Sequence, residues 1–134
     1  MKAIGMALTG AIGAAVLISA CAPEIRAASG REDYMALCAD CHGPAGLGDG
    51  PAAQPGAQPS DLTRIAARNG GEFPRNQVMS RIHGYTMGRS DDPMPSFGDL
   101  LDSPMVRYDS GDGLLTPTPQ RLVALSEYLE TIQQ

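Results

Sequence analysis

The chain reads as an all-α domain of three to five short helices, and three features predict it. Tyr34, Leu37, Cys38 and Cys41 recur at i, i+3, i+4 and i+7, which is one face of a helix. Leu122, Leu125, Leu129 and Ile132 recur at i, i+3, i+7 and i+10 near the other end. Between these segments glycine and proline are too frequent for long regular elements. Residues 43–59 alone carry five glycines and four prolines in seventeen positions. A chain of 134 residues supplies one domain and little more.

The first twenty residues read as a signal peptide rather than as folded protein. Lys2 is a positive start, residues 3–18 are uncharged and apolar, and Ile18-Ser19-Ala20-Cys21 follows. The apolar run is short for a membrane span. That last tetrad resembles a bacterial lipobox, which implies a lipidated Cys21 as the first mature residue. It also accounts for an odd cysteine in an exported chain. Residues 21–29 then form an extended tether, and residues 30–134 the domain.

The first helix is expected to start near Ser29, because Ser29-x-x-Glu32 is a capping-box pattern and Asp33 adds a second acid. Ser60 is the expected cap of a second helix with Leu62, Ile65 and Ala66 inward, ended by Asn69-Gly70-Gly71. Pro74 opens a third, with Val78 and Ile82 inward, ending before Gly84. Residues 106–108 and 114–115 can pair as a small hairpin around Asp109-Ser110-Gly111-Asp112-Gly113. The oxygens of that acidic loop do not recur at calcium-site spacing, so it reads as a turn. Thr118 and Pro119 are the expected cap and first residue of the last helix.

Removal of residues 1–20 would take away the only lysine and leave nine arginines against fifteen acids. Such a chain lacks the basic face that nucleic-acid binding needs. The charge is uneven: residues 60–90 carry a net +3 and residues 91–134 a net −6. Such asymmetry can give a dipole that steers a docking partner, or can be no more than a solvated surface. Large aromatic side chains are scarce and tryptophan is absent. A thin core fits a domain that packs around a large apolar group.

Cys38-Ala39-Asp40-Cys41-His42 is C-x-x-C-H, the attachment sequence for a c-type haem. On a helical turn, cysteines three apart can each form a thioether to one vinyl group, and His42 is placed as the proximal iron ligand. A disulfide or thioredoxin-like pair is the alternative, but the βαβ pattern that usually accompanies it is missing. Half of a zinc site is another, but no second Cys or His pair completes it.

For the sixth ligand, Met94 stands out in Asp92-Pro93-Met94-Pro95-Ser96-Phe97-Gly98. Two prolines stiffen the backbone around its thioether. Met87 and His83 are the other candidates. Met35 lies too close to Cys38, and Met79 shares helical spacing with Val78 and Ile82, which reads as a core or surface residue rather than a ligand.

With these motifs the sequence resembles the class I (His/Met) monohaem cytochromes c, over residues 30–132. Pro93-Met94-Pro95-x-Phe97-Gly98 is similar to that family's distal methionine loop. The resemblance implies a cytochrome c fold around one haem c, with the first and last helices crossing. It also implies that Gly30, Tyr34 and Tyr128 meet at the crossing. A proline carbonyl after the haem motif is expected to hold the second nitrogen of His42, and Pro51 is the candidate. No lysine ring of the mitochondrial type is present.

The expected function is single-electron transfer, not enzyme catalysis, on the periplasmic side of a bacterial membrane through a lipid anchor. Its partners are redox proteins that donate and accept electrons. Ala22, unlike the aspartate that resembles an inner-membrane retention signal, tilts the anchor toward the outer membrane. Two alternatives are a subunit permanently docked in a respiratory or dehydrogenase complex and a five-coordinate haem protein that binds ligands or acts as a peroxidase.

Overall fold

The computed structural model describes residues 22–53, 56, 58–85 and 94–134, with side chains from residue 29 onward. Cys21 and Met87 lie outside the described residues. Among those residues there are five α-helices, α1 Ala22–Leu37, α2 Ala39–His42, α3 Ile65–Arg68, α4 Arg75–His83 and α5 Gln120–Thr131. One antiparallel hairpin, β1 Met105–Asp109 with β2 Leu115–Pro119, precedes α5. The all-α expectation therefore needs one amendment, a two-stranded ribbon longer than the sequence suggests.

Helix α1 begins at Ala22, seven residues before the capping box. Residues 22–29 are thus helical rather than an extended tether. A helix advances only about 1.5 Å per residue, less than half the reach of extended chain.

Helices α1 and α5 cross at Gly30. A Cβ on Gly30 would lie 2.0 Å from the carbonyl oxygen of Ala124. Only glycine lets the two backbones come this close. One turn further along α1, Tyr34 is fully buried, and its ring meets that of Tyr128 at 5.3 Å between centroids and a 50° tilt. Tyr34 and Tyr128 thus meet, as the resemblance implies, while Gly30 meets Ala124, one turn before Tyr128, at the same crossing. Asp33 on α1 accepts from Arg121 Nε at 3.1 Å and pairs with its Nη2. Arg75 on α4 pairs in the same two-pronged way with Glu130 on α5. Two-pronged pairs fix direction as well as distance, which suits the joining of helices.

Leu122, Leu125 and Leu129 are buried as their spacing predicts, and Val123, Ala124 and Ser126 are buried too. Helix α5 is enclosed on several sides: α1 packs along it, and α4 and the hairpin add contacts. Burial of each large aliphatic side chain contributes about 1.5–3 kcal/mol. The N-terminus of α5 departs from expectation. Thr118 lies in β2, where it pairs with Val106, and its hydroxyl donates to the Thr116 carbonyl. The first helical N–H groups go instead to Pro104, whose carbonyl accepts from Gln120 at 3.0 Å, and to the Ser103 hydroxyl, which accepts from Arg121 at 3.0 Å. The strand that leads into the helix sets the cap, so a local motif is superseded by a distant partner.

The acidic loop is a turn. Asp109 Oδ1 accepts from the N–H groups of Gly111 and Gly113, and Asp112 Oδ1 from Leu114. Gly111 and Gly113 have positive φ, as a tight turn there requires. Among the described residues no helix is long and apolar enough to cross a membrane.

Candidate haem site

Cys38 ends α1 and caps α2, so the C-x-x-C-H turn straddles a helix break. Backbone bonding nevertheless runs through it. Cys38 N–H donates to Tyr34 at 2.9 Å, His42 to Cys38 at 2.8 Å and Gly43 to Ala39 at 2.8 Å. The two thiols do not share an environment. Cys38 is buried and Cys41 is exposed, and no disulfide joins them. Burial pushes the Cys38 thiol up to about 12, with help from Asp33 and Cys41 nearby. Such a thiol stays protonated near neutral pH, unlike the acidic cysteine of a thiol-disulfide catalyst.

His42 is oriented by a main-chain contact. Its Nδ1 lies 3.0 Å from the Ser60 carbonyl oxygen. A carbonyl only accepts, so Nδ1 carries the proton and Nε2 keeps its lone pair for a metal. Histidine ligands are commonly held this way, by an acceptor behind the ring that fixes tautomer and angle. The acceptor is Ser60, not Pro51. Ser60 was expected to cap the next helix, but that role belongs to Asp61, which takes the Thr63 N–H at 2.9 Å and the Thr63 hydroxyl at 2.6 Å. Those hydrogen bonds hold the Asp61 carboxyl below its ordinary range. A 3₁₀ turn, Leu62–Arg64, then leads into α3.

The chain around Ser60 is itself clamped from two directions. Leu62 N–H donates to the Gly46 carbonyl at 2.6 Å. Gln133, the penultimate residue, spans residues 62 and 66. Its Oε1 accepts from Ala66 N–H and its Nε2 donates to the Leu62 carbonyl, both at 2.9 Å. The glycine-rich loop before Ser60 folds back onto the haem motif. Gly48, Gly50 and Ala52 N–H groups donate to the carbonyls of His42, Cys41 and Asp40. These are the terminal carbonyls of α2, which have no partner within the helix. Tyr34 adds a bond from its hydroxyl to the Gly43 carbonyl at 2.5 Å. Burial pushes that phenol up to about 12.

Met94 and Phe97 pack against the core that contains Tyr34, Cys38, Met79, Ile82 and Leu101. Met79 is buried there, which decides for core between the core and surface positions its helical spacing allows. Phe97 N–H donates to the Ile82 carbonyl at 2.9 Å, and the Ser96 hydroxyl to the His83 carbonyl at 2.5 Å. His83 is occupied elsewhere: its ring stacks on Tyr85 with centroids 4.0 Å apart and 11° between planes.

These residues suit a covalent haem. The cysteines are free thiols, the histidine presents one free nitrogen, and a methionine sits against the same apolar core as Cys38. A family model of cytochrome c matches residues 27–133. The chain belongs to the cytochrome c family. Searches of curated proteins and of solved structures find no match. Cytochrome c domains carry covalently attached haem c with its iron, transfer electrons on it and work with redox partner proteins. The helical, Gly30-centred crossing described above is the frame on which this cytochrome c holds its motif.

Sequence reasoning missed two members of the site. Ser60 contributes only a main-chain carbonyl, which any residue supplies, so no side-chain signal marks it. Gln133 acts from the opposite end of the chain, and one glutamine near a C-terminus carries no spacing signature.

Proposed function

We propose that this cytochrome c is a membrane-anchored, periplasmic carrier of single electrons. Cys38 and Cys41 are its thioether anchors, His42 and Met94 its axial ligands, and Cys21 its lipidated N-terminus. The observation that carries the reading is the His42 Nδ1–Ser60 contact inside a C-x-x-C-H turn, because it leaves one histidine nitrogen aimed by a clamped backbone. When bound, the haem supplies a one-electron couple, and a methionine ligand raises its potential. The chain's own residues hold His42 at fixed angle, keep water from the Cys38 side by burial, and would offer the Met94 thioether from the core against which it packs.

The test is the visible spectrum of oxidised and reduced protein, repeated for Met94→Ala. A low-spin spectrum with a weak red sulfur-to-iron band, lost on substitution, supports His42/Met94 ligation. A high-spin spectrum in the wild type turns the reading toward a five-coordinate, ligand-binding protein. A band that survives the substitution moves the ligand to Met87. Mass analysis of protein taken from membranes should show acyl chains on Cys21, and a soluble product cleaved further along would overturn the anchor.

One observation favours the permanently docked subunit as second reading. The hairpin exposes Met105, Leu114 and Leu115, each more than half accessible. Co-purification with larger chains in defined stoichiometry would select it over a free shuttle.

A further inference from the structure

The hairpin is a sheet of two strands, so each strand keeps one outer edge. The register shows which groups lie there. Gln120 N–H donates to the Pro104 carbonyl, and the next pair along, Met105 with Pro119, is followed by Val106 with Thr118. Antiparallel ladders alternate, so Val106–Thr118 and Tyr108–Thr116 bond inward. The main-chain groups of Met105, Arg107 and Asp109 therefore point outward along β1, and those of Leu115, Pro117 and Pro119 outward along β2.

The two edges differ. Two of the outward positions on β2 are prolines, which have no N–H to offer a further strand. Proline is one of the usual ways to block a sheet edge. The β1 edge has a donor and an acceptor at each outward position, and among the described residues no main-chain bond reaches them from outside the hairpin. Met105, Arg107 and Asp109 are all exposed. Any strand that pairs there must also match the charges of Arg107 and Asp109. A second copy of β1, running antiparallel, meets this condition in one register. Arg107 opposite Arg107 repels. A shift by one pair sets Arg107 opposite Asp109 of the second copy and Asp109 opposite its Arg107, with Tyr108 at the two-fold axis. Positions 107 and 109 are outward in both copies, so main-chain bonds and opposite-charge pairs form together.

We propose that the outer edge of β1 is a self-recognition surface, on which two copies of this chain join into one antiparallel sheet with Arg107 of each opposite Asp109 of the other. Leu114 and Leu115 lie on the turn and on β2, away from this edge. The test is sedimentation velocity of the holoprotein from about 0.01 to 1 mM, the range in which a short edge with few apolar contacts associates. Wild type should shift from monomer toward dimer. Arg107→Glu sets like charges opposite each other twice in the symmetric pair and should weaken association about tenfold or more. Asp109→Asn removes the charge but keeps an acceptor for the turn bonds from Gly111 and Gly113, and should weaken it about three- to tenfold. Arg107→Pro removes one outward N–H and none of the inward ladder, so it should abolish the dimer with little change in thermal midpoint. Leu115→Ser should associate as wild type. A wild-type protein that stays monomeric throughout overturns the proposal. A dimer that survives Arg107→Glu or Arg107→Pro overturns the edge, and its loss in Leu115→Ser would move the contact to the apolar side chains. Wild-type association in Asp109→Asn overturns the charge-matched register.

Discussion

The chain leaves His42 through one glycine- and proline-rich stretch and approaches Gly98 through another, but the two are secured by different means. The first is pinned by main chain to main chain: Gly48, Gly50 and Ala52 donate to consecutive carbonyls of the haem motif, and Gly46 accepts from Leu62. The second, in its described part, has one such main-chain bond, from Phe97 N–H to the Ile82 carbonyl, and otherwise rests on a serine hydroxyl and the approach of a histidine ring. Main-chain contacts leave no rotamer freedom, whereas side-chain contacts do. The contrast matches the ligands proposed on each side. An imidazole has a rigid plane that must be aimed, so its surroundings are fixed. A methionine has three rotatable bonds and tolerates a softer frame.

Glycine substitutions test the contrast most directly. A Cβ on Gly50 would meet Asp40 O at 2.3 Å and Cys41 backbone at 2.6 Å, atoms that cannot move without unwinding α2. Gly50→Ala should therefore cost about 3 kcal/mol in urea unfolding of the holoprotein. Tyr34→Phe comes next, at about 1–2 kcal/mol, because it leaves the buried Gly43 carbonyl without its donor. Gly98→Ala should cost about 1–2 kcal/mol, since its closest backbone contact, the His83 carbonyl oxygen at 2.8 Å, is looser than those of Gly50. Its larger effect should be on the red band. If Gly98→Ala proves as destabilising as Gly50→Ala, the two loops do not differ in stiffness. Gln133→Ala should be the smallest change, under about 1 kcal/mol, with a shift of the iron–histidine vibration as the sharper readout.

Tyr34 also gives a pH signature. Its phenol ionises near 10 when exposed and at about 12 in the fold. The folded state keeps the proton longer than the unfolded one. Stability from this group is therefore complete below pH 10 and is lost as pH rises from 10 through 12. Tyr34→Phe should flatten unfolding free energy across that window. Asp61 runs the other way. Its lowered carboxyl contributes stability above its ordinary range, lost as pH falls through the lowered value.

Particular residues show how far local pattern carries. The C-x-x-C-H turn, the leucine stripe of α5 and the glycine stops at Gly70, Gly71 and Gly84 lie where their spacing puts them. All are statements about neighbours within one or two helical turns. Capping was less legible. Ser29 lies inside α1, Asp61 replaces Ser60, and Ser103 and Pro104 replace Thr118. A cap is decided by which acceptor reaches the free N–H first, and tertiary approach can bring one nearer than the local side chain.

The haem motif of this cytochrome c is legible in residue order alone: two cysteines and a histidine at fixed spacing, with a glycine and a tyrosine on the helical face that carries them. Covalent spacing and helical period are enough for that. What aims the histidine comes from tertiary approach. The acceptor is the backbone of Ser60, eighteen residues away, held by a glutamine from the far end of the chain. Carbonyl oxygens are alike in every residue, so only the folded path of the chain can choose among them.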